Sequence, residues 1–133
     1  MSPTLIETIE FWQKSSDNDW KTANGLFGLK RYDSCLFFCH LTLEKALKSL
    51  VVQNTKQNSP FIHDLAKLSE LTKIKFSEIQ IENLKTITTF NIAARYDNEK
   101  LNFYKKCNID FTKKYLIKTK KLYLWLKKYY QKK

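Results

Sequence analysis

The chain is 133 residues long, 43% hydrophobic and 14% aromatic, enough for one domain-sized core over residues 1–133 and too little for two. Two glycines and two prolines are too few for the turns of a sandwich or barrel, so an all-α fold is predicted. The formal charge of +11 invites a polyanionic partner through counterion release, although 22 of the 24 basic residues are lysine, a bias that an AT-rich genome also writes.

In chain order, the first helix is predicted from Pro3, acceptable in a first turn after Ser2, toward Leu29. Ile6, Ile9, Trp12 or Phe11, Trp20, Ala23 and Phe27 share its apolar face, and the weak helix formers of "SSDND" are expected to break or kink it. The second helix runs from about Tyr32 to Gln53. The loop "NTKQNSP" leads to a short third helix starting near His63 or Asp64, and a fourth from about Ser77 to Ala94 presents Ile79, Ile81, Leu84, Ile87 and Phe90. The last spans about Ile109 to Tyr130, which makes a bundle of four to five helices.

No stretch approaches the roughly 18 consecutive apolar residues of a membrane span, and "MSPTLIETIEF" carries acids where a secretory leader would be basic. A cytoplasmic protein without membrane contact is expected. Cys35, Cys39 and Cys107 are odd in number and lie in apolar or mixed surroundings, which suits reduced thiols.

"SCLFFCH" in the second helix has the look of a metal clip, but helical geometry speaks against it. At about 100° per residue, Leu36, His40, Leu43, Leu47, Leu50 and Val51 form a core-facing stripe. Cys35, Cys39, Thr42, Ala46 and Ser49 form an adjacent stripe of small side chains, suited to close approach of another helix or of a second protomer. His40 projects about 100° away from Cys39, so three ligands cannot converge from this segment. His40 is expected in the core, bonded to a neighbour such as Glu44, and neither metal nor cofactor is expected.

The same helix carries a resemblance. "DW..A..LF...RYDSCLFFCHLTLEKALKSLVV", followed by "HDLAKL" and "AARYD", resembles the HEPN domain (higher eukaryotes and prokaryotes nucleotide-binding) from about Asp19 to the end of the last helix. Leu43-Glu44-Lys45-Ala46-Leu47-Lys48 is the most specific part, with His63-Asp64-Leu65 and Ala94-Arg95-Tyr96 as further matches. The resemblance implies an up-and-down helical bundle that dimerises, with a functional cleft between protomers. It also implies pairing with small nucleotidyltransferases, as toxin and antitoxin, or in another branch a metal-independent ribonuclease.

That ribonuclease branch pairs an arginine with a histidine five to seven positions on, often followed two residues later by tyrosine. The arginine would stabilise charge on the scissile phosphate while the histidine moves the 2′-hydroxyl proton. Here Arg95 and Tyr104 fit the register, but Asn102 holds the histidine position, and an amide is neither acid nor base near neutral pH. A structural arginine paired with Asp97 or Glu99 is the plainer alternative for Arg95.

From Phe111 onward the chain has no acid and nine lysines. Phe111, Tyr115, Leu122, Leu126 and Tyr129 fall within an arc of about 60° and are predicted to be buried, leaving Lys113, Lys120, Lys121, Lys127 and Lys128 on the opposite arc. The lysines form either a solvated face or a contact surface for RNA, DNA or an acidic partner, with Tyr123, Trp125 and Tyr130 as stacking groups at its edges. Lysine without arginine disfavours base-specific readout. The expectation is a HEPN-like homodimer that binds RNA or a nucleotide, alongside a nucleotidyltransferase partner. The alternative is an endoribonuclease toxin using Arg95 and Tyr104.

Overall fold

The computed structural model describes residues 1–93 and 97–131, and the side chains of all of these except 97 and 98. The described residues form six helices and no strand: α1 (Pro3–Gly28), α2 (Tyr32–Thr55), α3 (Leu65–Leu71), α4 (Glu78–Ala93), α5 (Asp97–Lys106) and α6 (Ile109–Lys127). The all-α bundle is as predicted. The sixth helix is α5, whose sequence "DNEKLNFYKK" is too polar to show a helical period; it is anchored through buried Phe103, whose ring lies 5.3 Å from that of Phe90.

Local chemistry sets most of the boundaries. Ser2 accepts a hydrogen bond from the Leu5 amide and Pro3 opens α1. Asp64 accepts from the amides of Ala66 and Lys67 at the start of α3, and Asn108 caps α6 through the Phe111 amide. Ser77 and Gln80 cap α4 reciprocally, each side chain accepting from the other's amide, as a capping box does. With so few glycines, the chain uses lysine for left-handed turns: Lys30, Lys56 and Lys73 have φ of 61°, 58° and 63°. Lys30 and Arg31 donate back to Phe27 and Leu26, closing α1 with a Schellman motif.

α2 is the central helix and touches each of the other five. It is therefore buried on more than one face: 15 of its 24 residues are buried, including both predicted stripes. The small stripe packs within the monomer. Ser16 of α1 is completely buried and donates to the Thr42 carbonyl at 2.7 Å, and α6 brings fully buried Thr112 and Thr119 to the bundle interior.

α1 is one continuous helix, against the predicted break at "SSDND". The same residues that weaken its local propensity are tied down by tertiary contacts. Besides Ser16, Asp17 accepts from the Tyr123 hydroxyl and Asp19 pairs with Lys45 at 2.6 Å. Three further expectations are corrected. Ile6 of α1 is exposed rather than buried, while of the two alternatives Trp12 is the half-buried one and Phe11 the exposed one. Ile79, at the first turn of α4, is 71% exposed because it lies at the lip of an open hollow between α4 and α6. Tyr129 is 42% exposed, because α6 ends at Lys127 and Tyr129 leaves the helical register.

Candidate functional site

The basic surface is built on α6, which has Asp110 in its first turn and no acid thereafter. Lys113, Lys120, Lys121 and Lys128 are exposed, and among the described residues none of them is held in an ion pair. Lys127 differs: its ammonium lies 3.3 Å from Asp17 and 3.3 Å from the Tyr123 hydroxyl. The face is not purely cationic, since Ile117 and Leu124, seven residues apart and half exposed, lie among the lysines.

The aromatic edge of this face needs correction. Tyr123 is buried, packed at a tilt against Trp20 with ring centroids 5.6 Å apart, and hydrogen-bonded to Asp17. Burial, reinforced by the Asp17 carboxylate, pushes its phenol above the ordinary range, so it is a core residue and no stacking platform. Tyr130 is half buried, and burial pushes its hydroxyl up to about 12. Trp125 keeps part of its surface in solvent while Phe76 and Tyr129 pack edge-on against its ring, both at 5.0 Å.

Of the predicted catalytic positions, Arg95 lies outside the described residues, as do Ala94 and Tyr96 beside it. Asn102 and Tyr104 are both exposed on α5. Two residues apart on a helix, they point roughly 200° from one another, and they line different hollows. Asn102 faces one of about 410 Å³ with Glu99, Thr89 and Lys106. Tyr104 faces one of about 300 Å³ with Lys30, Asp33 and Lys105. Cys107 borders the second hollow, its thiol pushed up to about 12, first by burial and then by the Asp33 carboxylate.

Sequence reasoning missed a cluster that joins two of the matched motifs. Glu44 and Lys48, one turn apart on α2, are both buried and pair at 3.1 Å, and the Lys48 ammonium sits 5.2 Å above the Trp12 ring. The other Glu44 oxygen receives His63 Nδ1 at 2.8 Å. His40 is in the core as expected and lies 3.7 Å from Glu44, and its Nε2 also bonds the His63 carbonyl at 2.9 Å. The signal was present in "LEKALK" and "HDL", but nothing in either segment says that they touch.

The cysteine–histidine cluster is not assembled as a metal clip. Cys35 and Cys39 are buried and hydrogen-bonded to each other, which lowers the Cys35 thiol and, together with burial, raises that of Cys39. His40 faces the loop before α3 instead. Among the described residues no group of three or more histidine, cysteine or carboxylate side chains is placed to hold a metal ion, and no helix is long and apolar enough to cross a membrane.

Comparison with known proteins adds the family. The crystal structure of TT1696 from Thermus thermophilus superposes with a TM-score of 0.75, covering 90% of this chain and 96% of that one at 18% identity, a likeness of fold. No curated protein sequence matches the chain significantly. The family model for the HEPN domain matches residues 9–129, which includes "LEKALK", "HDL" and the helices that carry them. The chain belongs to the HEPN domain family.

Proposed function

We propose that this HEPN-family chain is a binding or regulatory component that acts on RNA or nucleotides, working as a homodimer with a companion nucleotidyltransferase in a toxin–antitoxin-like pair. The observation that carries the proposal is the face of α6, where Lys113, Lys120, Lys121 and Lys128 stand exposed without ion-pair partners among the described residues. Unneutralised lysines along a helix recruit phosphate-bearing ligands by counterion release and hold them with little regard to sequence. Asn102 at the histidine position of the family's nuclease motif supports binding over cleavage, since its amide neither accepts nor releases a proton near neutral pH.

The test is fluorescence anisotropy of labelled single-stranded RNA with the purified full chain at several salt concentrations, with sedimentation to establish the dimer. Salt-sensitive binding that drops in the Lys113→Glu, Lys120→Glu, Lys128→Glu triple variant is expected. An unchanged signal with RNA, with nucleotides and with the adjacent gene's product would refute the proposal.

A further inference from the structure

α4 and α6 leave between them an open hollow of about 440 Å³, within the roughly 300–1,000 Å³ of small-molecule sites. Its lining contains no acid: Ile79, Gln80 and Asn83 come from α4, and Lys118, Lys121, Leu122 and Trp125 from α6. Trp125 supplies an indole partly open to solvent and held in place by Phe76 and Tyr129. Ile79, 71% exposed, stands at the α4 edge.

The polar groups around this hollow are oriented as donors. Lys118 donates to the Asn83 side-chain carbonyl at 3.3 Å, which leaves the Asn83 NH2 to donate elsewhere. The Gln80 carbonyl oxygen is occupied by the Ser77 amide at 2.9 Å, so its NH2 too remains available. Lys121 is exposed at the rim. Two amide donors, two ammonium groups and an aromatic face are complementary to a ligand that is anionic, rich in acceptors and flat.

We infer that this hollow binds a nucleoside phosphate, its base against Trp125, its acceptor edge toward Asn83 and Gln80, and its phosphate on Lys118 and Lys121. The inference rests on the RNA-or-nucleotide proposal above and gives it a place on the molecule. Aromatic side chains stack on bases of any identity, and lysine binds phosphate as a point charge. Guanine, with its adjacent O6 and N7 acceptors, and uracil, with two carbonyls, suit such a donor set. The ligand is either a free nucleotide or one residue of a single strand, which share this chemistry.

The experiment is calorimetric titration of the full chain with GTP, with UTP and with a short single-stranded RNA, in parallel with tryptophan fluorescence. Saturable binding that quenches fluorescence is expected. The quench should disappear in Trp125→Phe, which keeps an aromatic ring in the packing, and affinity should fall about tenfold or more in Lys121→Glu and in Asn83→Leu, as loss of a charged or oriented contact requires. Binding of GTP or UTP with this pattern identifies the free nucleotide as the source; the same pattern with RNA alone identifies a strand. Binding that ignores Lys121→Glu and Asn83→Leu but falls with Lys113→Glu and Lys128→Glu would overturn the hollow and leave the basic face standing. Absence of binding to any of the three would sink both.

Discussion

His63 and Glu44, nineteen positions apart, meet at 2.8 Å between Nδ1 and Oε1. Half of the His63 side chain is in solvent while that of Glu44 is 6% exposed, so a surface imidazole closes over a carboxylate already paired with Lys48 inside the bundle. The His63 carbonyl accepts from His40 at the same time. The loop before α3 is thereby fastened to α2 by side chain and backbone together.

This arrangement predicts a steep asymmetry in mutagenesis. Glu44→Ala leaves the Lys48 ammonium buried without its carboxylate and is expected to cost about 3–5 kcal/mol. Replacing both members, as in Glu44→Leu with Lys48→Met, removes the charge from the interior and is expected to cost much less than the two single changes added together. Urea unfolding of the three variants measures the coupling; additive losses would refute it.

Lysine at left-handed positions gives a second prediction. Lys56 caps α2 with φ of 58°, a conformation that costs a residue bearing a Cβ about 1–2 kcal/mol and glycine almost nothing. Lys56→Gly is expected to leave stability unchanged or raise it slightly. Lys56→Val should be less stable than Lys56→Gly by at least about 1 kcal/mol, because branching at Cβ makes this region harder to reach. Thermal melts of the pair decide the matter.

Alkaline pH should loosen the fold partly through Cys107. Its thiol, ordinarily at 9.0, is raised to about 12 by burial and Asp33. Between these values the unfolded chain has released the proton and the folded chain keeps it, so stability falls as pH rises; below about 9 both states hold it and this contribution is flat. Cys107→Ala should show a shallower loss of stability from pH about 9 to about 11, by at most about 1.4 kcal/mol per pH unit. Equal slopes for the two proteins would contradict the assignment.

The lysine face predicts a graded salt response. Removing one phosphate-contacting lysine should reduce the slope of log affinity against log salt by about 0.7 for single strands. Lys113→Gln and Lys128→Gln are expected to do so. Lys127→Gln should change it less, since that ammonium is already engaged by Asp17 and Tyr123. Identical effects at all three positions would show that the Asp17 contact does not hold Lys127 away from the ligand.

Cleavage chemistry has a direct assay. Total RNA incubated with the protein in excess chelator is expected to stay intact under the proposed reading, in which Asn102 takes the place of the motif histidine that would transfer the proton. Cleavage that disappears in Arg95→Ala and in Tyr104→Phe would establish the nuclease instead.

The sequence by itself determined the helical class, the extent of α2 and its two buried stripes, the approximate starts of α1 and α3, and the family through "LEKALK" and "HDL". These are local properties: a period of 3.6 residues, a capping side chain and a short motif are complete within one segment. What tertiary structure decided are the pairings between segments. "SSDND" stays helical because α2 and α6 engage Ser16, Asp17 and Asp19, and α5 is anchored by the packing of Phe103 on Phe90. Tyr123 is buried and Tyr129 exposed because α1 covers one flank of α6 and the helix ends at Lys127. A helical period says which residues share a face but not which neighbour covers it, and only the packed bundle brings Glu44 to His63.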